Sequence, residues 1–203
     1  MRTVKNRADE PGDVKLAEEL VFNPCGLMLD PIKTGAGKTP DFRVITWHGL
    51  VGSCEIKSPR NDDLDNMLFD ELEENPDVPV VRAFLARTDP LPKRLGRQVR
   101  DAFDQFDAVN SDHSVPNILL FVNHARGVSA DRLLETLTGY FYSDSGEVYA
   151  NATRVAGRLV VKRDWIDLYI WLDRHGRQKP QLFFANVDKN HHRILRNSFC
   201  ALR

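Results

Sequence analysis

The sequence has no apolar run of eighteen or more residues, which excludes a membrane-spanning helix. Its first residues, MRTVKNRADEPGD, lack an apolar signal core. Cysteine is scarce. Cys25, Cys54 and Cys200 are odd in number and lack metal-ligand spacing, so no disulfide framework is expected and a reducing, cytoplasmic compartment is. No His-x-x-x-His or Cys-x-x-Cys pair occurs, and the adjacent His191 and His192 diverge too far to share one ion, which argues against zinc. Serine- or cysteine-hydrolase signatures, internal repeats and low-complexity segments are also missing.

An excess of one charge is lacking too. The 203 residues carry a net charge of −1, with 42% hydrophobic and 28% charged residues, the profile of an ordinary globular chain. That length suits one domain with a sizeable core, or a domain plus an extension. The distribution is uneven, however. From Ala150 to Arg203 eleven Lys/Arg stand against four Asp/Glu, a balance of +7 against −8 for the rest. A basic C-terminal third can track phosphates while the total stays neutral, or it can be a scattered solvated surface.

What is present centres on residues 40–57, PDFRVITWHGLVGSCEIK. Two alternating runs flank a reversal expected at His48-Gly49, which predicts a β-hairpin. On the second strand Glu55 and Lys57 point to one face, Cys54 and Ile56 to the other. An antiparallel partner returns Asp41 opposite the end of that strand. Two carboxylates and an ammonium therefore converge. Paired carboxylates with open positions around them suit a hard divalent cation such as Mg2+, which keeps its remaining sites for water and phosphate.

Pro40-Asp41, thirteen residues, then Glu55-Ile56-Lys57 resembles the PD-(D/E)XK nuclease superfamily, with its restriction-endonuclease-like fold. The resemblance implies that Asp41 and Glu55 bind Mg2+, or Mn2+ as a substitute, with the Ile56 carbonyl as a further ligand. It implies that Lys57 assists the attacking water. An acid on the preceding helix often completes such a site. Glu18 borders the apolar face of the helix expected over 14–22 and is the candidate, against a reading of Glu18 and Glu19 as surface glutamates. The implied activity is hydrolysis of DNA phosphodiesters; the alternative is a catalytically inactive module that binds nucleic acid or a protein partner.

The remaining elements agree in order. Asp13 is a suitable N-cap for the first helix, whose Val14, Ala17 and Val21 share a face with Leu20 beside them, and GLMLD (26–30) reads as a short strand. Gly37-Lys38-Thr39 imitates a phosphate-binding P-loop, but Ile32 stands where its first glycine belongs and a strand follows instead of a helix. No nucleotide cofactor is expected. Lys33 and Lys38 are candidates to approach a phosphate backbone. Residues 61–77 carry eight acids and no Lys or Arg, which reads as a solvated helix, and 78–86 as a buried strand or the start of a helix.

A helix is predicted over Lys93–Val109, with Leu95, Val99, Ala102/Phe103 and Phe106 inward; Arg97 and Gln105 are candidates to reach the site, as the resembled family's helix does. NILLFVNHA (117–125) reads as a strand buried on both faces, and Ser129 as the cap of another helix. RLVVKR, DWIDLYIWLD and QLFFANV read as further strands, with turns at Gly176 and Pro180. Trp165, Tyr169 and Trp171 can stack on bases, but their strand spacing favours the core. The expected architecture is mixed α+β: a frayed lead-in over 1–12, an αβββαβ core over 13–140 with a central mixed sheet flanked by helices, and a basic, β-rich extension over 141–203. DNA is the expected partner; a homodimer would suit cutting of both strands, and nothing in the sequence demands one.

Overall fold

A computed structural model describes residues 11–33, 39–61, 91–126, 128–142, 148–150, 159, 164–174, 179–185 and 188–202. The acidic segment, the run at 78–86, Lys38, Gly176 and nearly all of RLVVKR lie outside them.

Helix α1 (Pro11–Ala17) begins earlier than expected, with proline in the first turn, where its missing N–H costs nothing. Asp13 is thus inside the helix instead of capping it. The chain continues through a π-turn (Glu18–Phe22) and a 3-10 turn holding Pro24, closed by Gly26 at φ 66°. The wider π-turn carries Leu20 off the line of Ala17 while Val21 returns to it. Ala17, Val21 and Phe22 are buried and Leu20 is 43% exposed, so Leu20 does not share the apolar face.

Strands β1 (Met28–Pro31), β2 (Phe42–Thr46) and β3 (Gly49–Lys57) form an antiparallel meander. The reversal falls at Trp47-His48, one residue before its expected place, because Gly49 already pairs with Thr46 and its φ of 135° suits glycine. Pairing steps from Val44–Gly52 to Ile45–Leu50, leaving Val51 as a bulge that bends β3. A Cβ on Gly52 would lie 2.4 Å from the Pro116 carbonyl oxygen. That oxygen already accepts from the Ser53 N–H at 2.9 Å. Gly52→Ala is therefore expected to cost about 1–3 kcal/mol, read as a lowered urea midpoint; an unchanged midpoint would mean that the Pro116 loop yields freely.

Helix α2 (Leu91–Asp107) precedes β4 (Asn117–Asn123), which runs parallel to β3. Helix α3 (Ala130–Thr138) and a separate two-stranded sheet, β5 (Tyr140–Tyr142) with β6 (Val148–Ala150), come before β7 (Leu168–Asp173). Strand β7 is parallel to β4, and β8 (Gln181–Phe184) returns antiparallel at the edge. The six-stranded order is β1-β2-β3-β4-β7-β8. Strand β4 is buried throughout, as its continuous apolar run implies.

Strands β7 and β8 fall within the expected DWIDLYIWLD and QLFFANV, and the last segment adds a helix not expected from the sequence. Helix α4 (Lys189–Ser198) is capped by Asp188, whose Oδ1 accepts from the N–H groups of Asn190 and His191 at 2.6 and 3.1 Å. A ten-residue helix opening on Lys-Asn-His-His carries little apolar periodicity. Cys54, Ile56, Leu120 and Ile170 pack with Val21 and Phe22 of the first helical segment and with Leu195 and Phe199 at the C-terminus. Leu119, Phe121, Tyr169 and Trp171 pack against α2 and α3 on the other face. Tyr169 and Trp171 are therefore core residues. No described helix is long and apolar enough to cross a membrane.

Candidate active site

The site stands where β3 ends. Alternation sends Glu55 and Lys57 to the α2 face, opposite Leu119 and Phe121 of β4. Phe42 pairs with Cys54, so Asp41, one residue before β2, comes level with Glu55. The two chain segments are cross-bonded: the Asp41 N–H donates to Glu55 Oε2 at 3.0 Å, and the Ile56 N–H donates to Asp41 Oδ2 at 3.2 Å. The N–H and C=O of one strand residue leave on the same side, so the Ile56 carbonyl also leaves toward Asp41.

Lys57 Nζ donates to Glu55 Oε1 in a buried ion pair. It also donates to Gln105 Oε1 on α2 at 3.0 Å, and Gln105 Nε2 donates to the Thr39 carbonyl at 3.0 Å. Gln105 thus spends both ends of its amide, one on the lysine and one on the segment that leads into Asp41.

Burial dominates the electrostatics. Glu55 is 0% exposed. Desolvation pushes its pKa up to about 7, and the Asp41 charge adds to the rise; the charge of Lys57 and the hydrogen bonds of Lys57 and Gln105 oppose it. Burial likewise raises the Cys54 thiol well above its ordinary value, helped by Asp41 and Glu55, so this cysteine is a protonated core group without nucleophilic character.

Asp41, Glu55, Lys57 and Gln105 come together, and the Ile56 backbone joins them. Glu18 is half-buried on the π-turn, in the segment that covers the Cys54/Ile56 face. No hydrogen bond links it to Asp41 or Glu55 among the described residues, and it is not among the groups that act on Glu55. Arg97 and Lys33 are exposed, away from these hydrogen bonds.

The acid of the first helix that reaches β3 is Asp13. It accepts from Ser58 Oγ at 2.6 Å and from Arg174 Nη1 at 2.7 Å, and it contacts His124 Nε2 at 2.8 Å. These partners follow β3, β4 and β7, so one buried carboxylate gathers three strand ends beside the site. The partners lie 45, 161 and 111 residues from it, and no local signal announces them.

No family model matches the chain, and neither a curated protein nor a solved structure matches it.

Proposed function

We propose that the chain is a metal-dependent nuclease of the PD-(D/E)XK type, with a restriction-endonuclease-like core and DNA as substrate. The observation that carries this reading is the meeting of both carboxylates at the strand end, Glu55 accepting from the Asp41 N–H and from Lys57, and Asp41 accepting from the Ile56 N–H. The order of the described elements supports it: a helix, three antiparallel strands, a helix, and a fourth strand parallel to the third. Fold without the site would not suffice.

The donor set fits a hard divalent cation. The Asp41 charge raises the cost of ionising Glu55, which a cation relieves, and the Ile56 carbonyl faces the same side. Bound there, Mg2+ or Mn2+ supplies an acidified water and neutralises charge at phosphorus. Lys57 supplies the fixed ammonium beside that position, able to orient the water and to stabilise developing negative charge. Gln105 acts through Lys57 as a positioning residue. Lys33 and Arg97 contribute, in this reading, only diffuse attraction to phosphate.

Gln105→Ala is expected to slow single-turnover cleavage roughly tenfold to a hundredfold with DNA affinity unchanged, because a misplaced catalytic group costs rate and not binding. A proportionate loss of affinity would make Gln105 a DNA contact instead. The primary test is cleavage of plasmid, linear, single-stranded and branched DNA with Mg2+ or Mn2+, wild type beside Lys57→Ala. Cutting by wild type alone supports the proposal. Absence of cutting on all of them, with Mg2+ bound and salt-dependent DNA retention in gel shifts, would favour a binding module.

A further inference from the structure

At the opposite end of β4 from Lys57, three ligand-type side chains meet. His113 lies in the turn after α2, Asp167 immediately before β7, and His191 in the first turn of α4. His113 Nε2 is 2.7 Å from Asp167 Oδ2, and His191 Nδ1 is 3.1 Å from Asp167 Oδ1. One ligand atom from each residue lies within 4.8 Å of the other two. We propose that His113, Asp167 and His191 form a binding site for one transition-metal ion of the Zn2+ class, separate from the Asp41–Glu55 site.

The chemistry of the set selects the ion. Two imidazoles and one carboxylate are borderline donors that suit Zn2+ better than Mg2+ or Ca2+, which prefer oxygen alone. Zinc holds nitrogen and oxygen at about 2.0–2.2 Å, which in a tetrahedron separates neighbouring ligand atoms by about 3.4 Å. The His113 contact to Asp167 Oδ2 needs to open by about 0.7 Å and the His191 contact to Asp167 Oδ1 by about 0.3 Å, and no pair of ligand atoms needs to close by more than about 1.4 Å. Ring rotation covers such changes. Three protein ligands leave a fourth position for water.

The surroundings hold the ligands in place. Asp167 Oδ2 also accepts the Asn117 N–H at 2.8 Å, an outer partner of the kind that orients metal-bound carboxylates. The Trp165 ring stacks on His113, with centroids 5.1 Å apart. Among the described residues His113 is the one non-glycine residue at positive φ, 51°, a costly conformation held by the Asn110 turn. That cost is spent on aiming its ring at Asp167. Asp167 and His191 are buried, and His113 keeps 14% of its side chain exposed, an entry path for an ion.

Titration of the metal-free chain with Zn2+ alone, followed by calorimetry, is expected to show one tight site that survives in Glu55→Gln. His113→Gln and His191→Gln should each weaken it by at least about 100-fold, since even outer partners of metal ligands carry about 10–100-fold. Circular dichroism verifies that the variants are folded. Should they not fold, Co2+ added to the wild type supplies the readout: visible bands of a four-coordinate nitrogen–oxygen site with no thiolate charge-transfer band, and quenching of tryptophan emission that Trp165→Phe removes. No stoichiometric binding, binding that persists in the folded histidine variants, or a thiolate band would overturn the proposal. None of these readouts depends on DNA cleavage, so the nuclease reading stands or falls separately.

Discussion

Lys57→Ala is expected to cleave DNA on the order of 100- to 1000-fold more slowly than wild type at saturating Mg2+, the usual effect of removing one fixed donor from a developing oxyanion. The substitution also strips the buried Glu55 carboxylate of its ion pair. Without that charge, burial and Asp41 act on Glu55 unopposed apart from Gln105, and its pKa rises further. Metal binding by Lys57→Ala should therefore weaken near neutral pH and recover as pH rises, whereas the cleavage rate at saturating metal should not. Single-turnover rates against Mg2+ concentration at two pH values separate the effects. Full recovery of the rate at high pH would reduce Lys57 to an electrostatic partner of Glu55; equal cutting by both proteins at every pH would point to another active site.

The second large effect is the pH dependence of the metal-free fold. Glu55 titrates near 4.5 in the unfolded chain and near 7 in the folded one. Below 4.5 both states hold the proton, and the group is neutral in its effect. Between 4.5 and 7 the unfolded state loses its proton first, so folding is progressively disfavoured as pH rises. The accumulated penalty at pH 8 is about 3 kcal/mol for this group. In EDTA, the difference in stability between Glu55→Gln and wild type should accordingly grow from pH 5 to pH 8, offset by the weaker bond that the amide makes to Lys57. Mg2+ should narrow it, because the ion binds the carboxylate that burial disfavours. Urea unfolding at several pH values measures this directly. A difference independent of pH would mean that Glu55 ionises in the fold as it does in the unfolded chain.

The elements that could be read from the sequence share one property: their signals are local. Alternation in 40–57 gives the hairpin, a continuous apolar run gives β4, and helical spacing of Leu95, Val99, Ala102 and Phe106 gives α2, within two residues of its ends. Asp41, Glu55 and Lys57 were legible together because a hairpin converts sequence spacing into proximity with one turn. Errors arose where neighbours along the chain were not the deciding contacts. Asp13 has the chemistry of a cap, yet its carboxylate is claimed by groups from three distant strand ends. Leu20 has the right spacing, but a π-turn changes the phase on which spacing depends.

The sequence by itself determined the mixed α+β class, the hairpin with its acidic and basic residues on one face, and the apolar stripes that choose the two sides of the sheet. Local periodicity and strand alternation are enough for these. Only the tertiary structure decided how deeply Glu55 is buried, that Gln105 grips Lys57, that Asp13 binds the ends of β3, β4 and β7, and that His113, Asp167 and His191 meet. Those outcomes depend on crossover connections that set distant segments side by side, and on desolvation by helices packed from both faces. Neither quantity is carried by any one stretch of chain, because burial belongs to the assembled sheet.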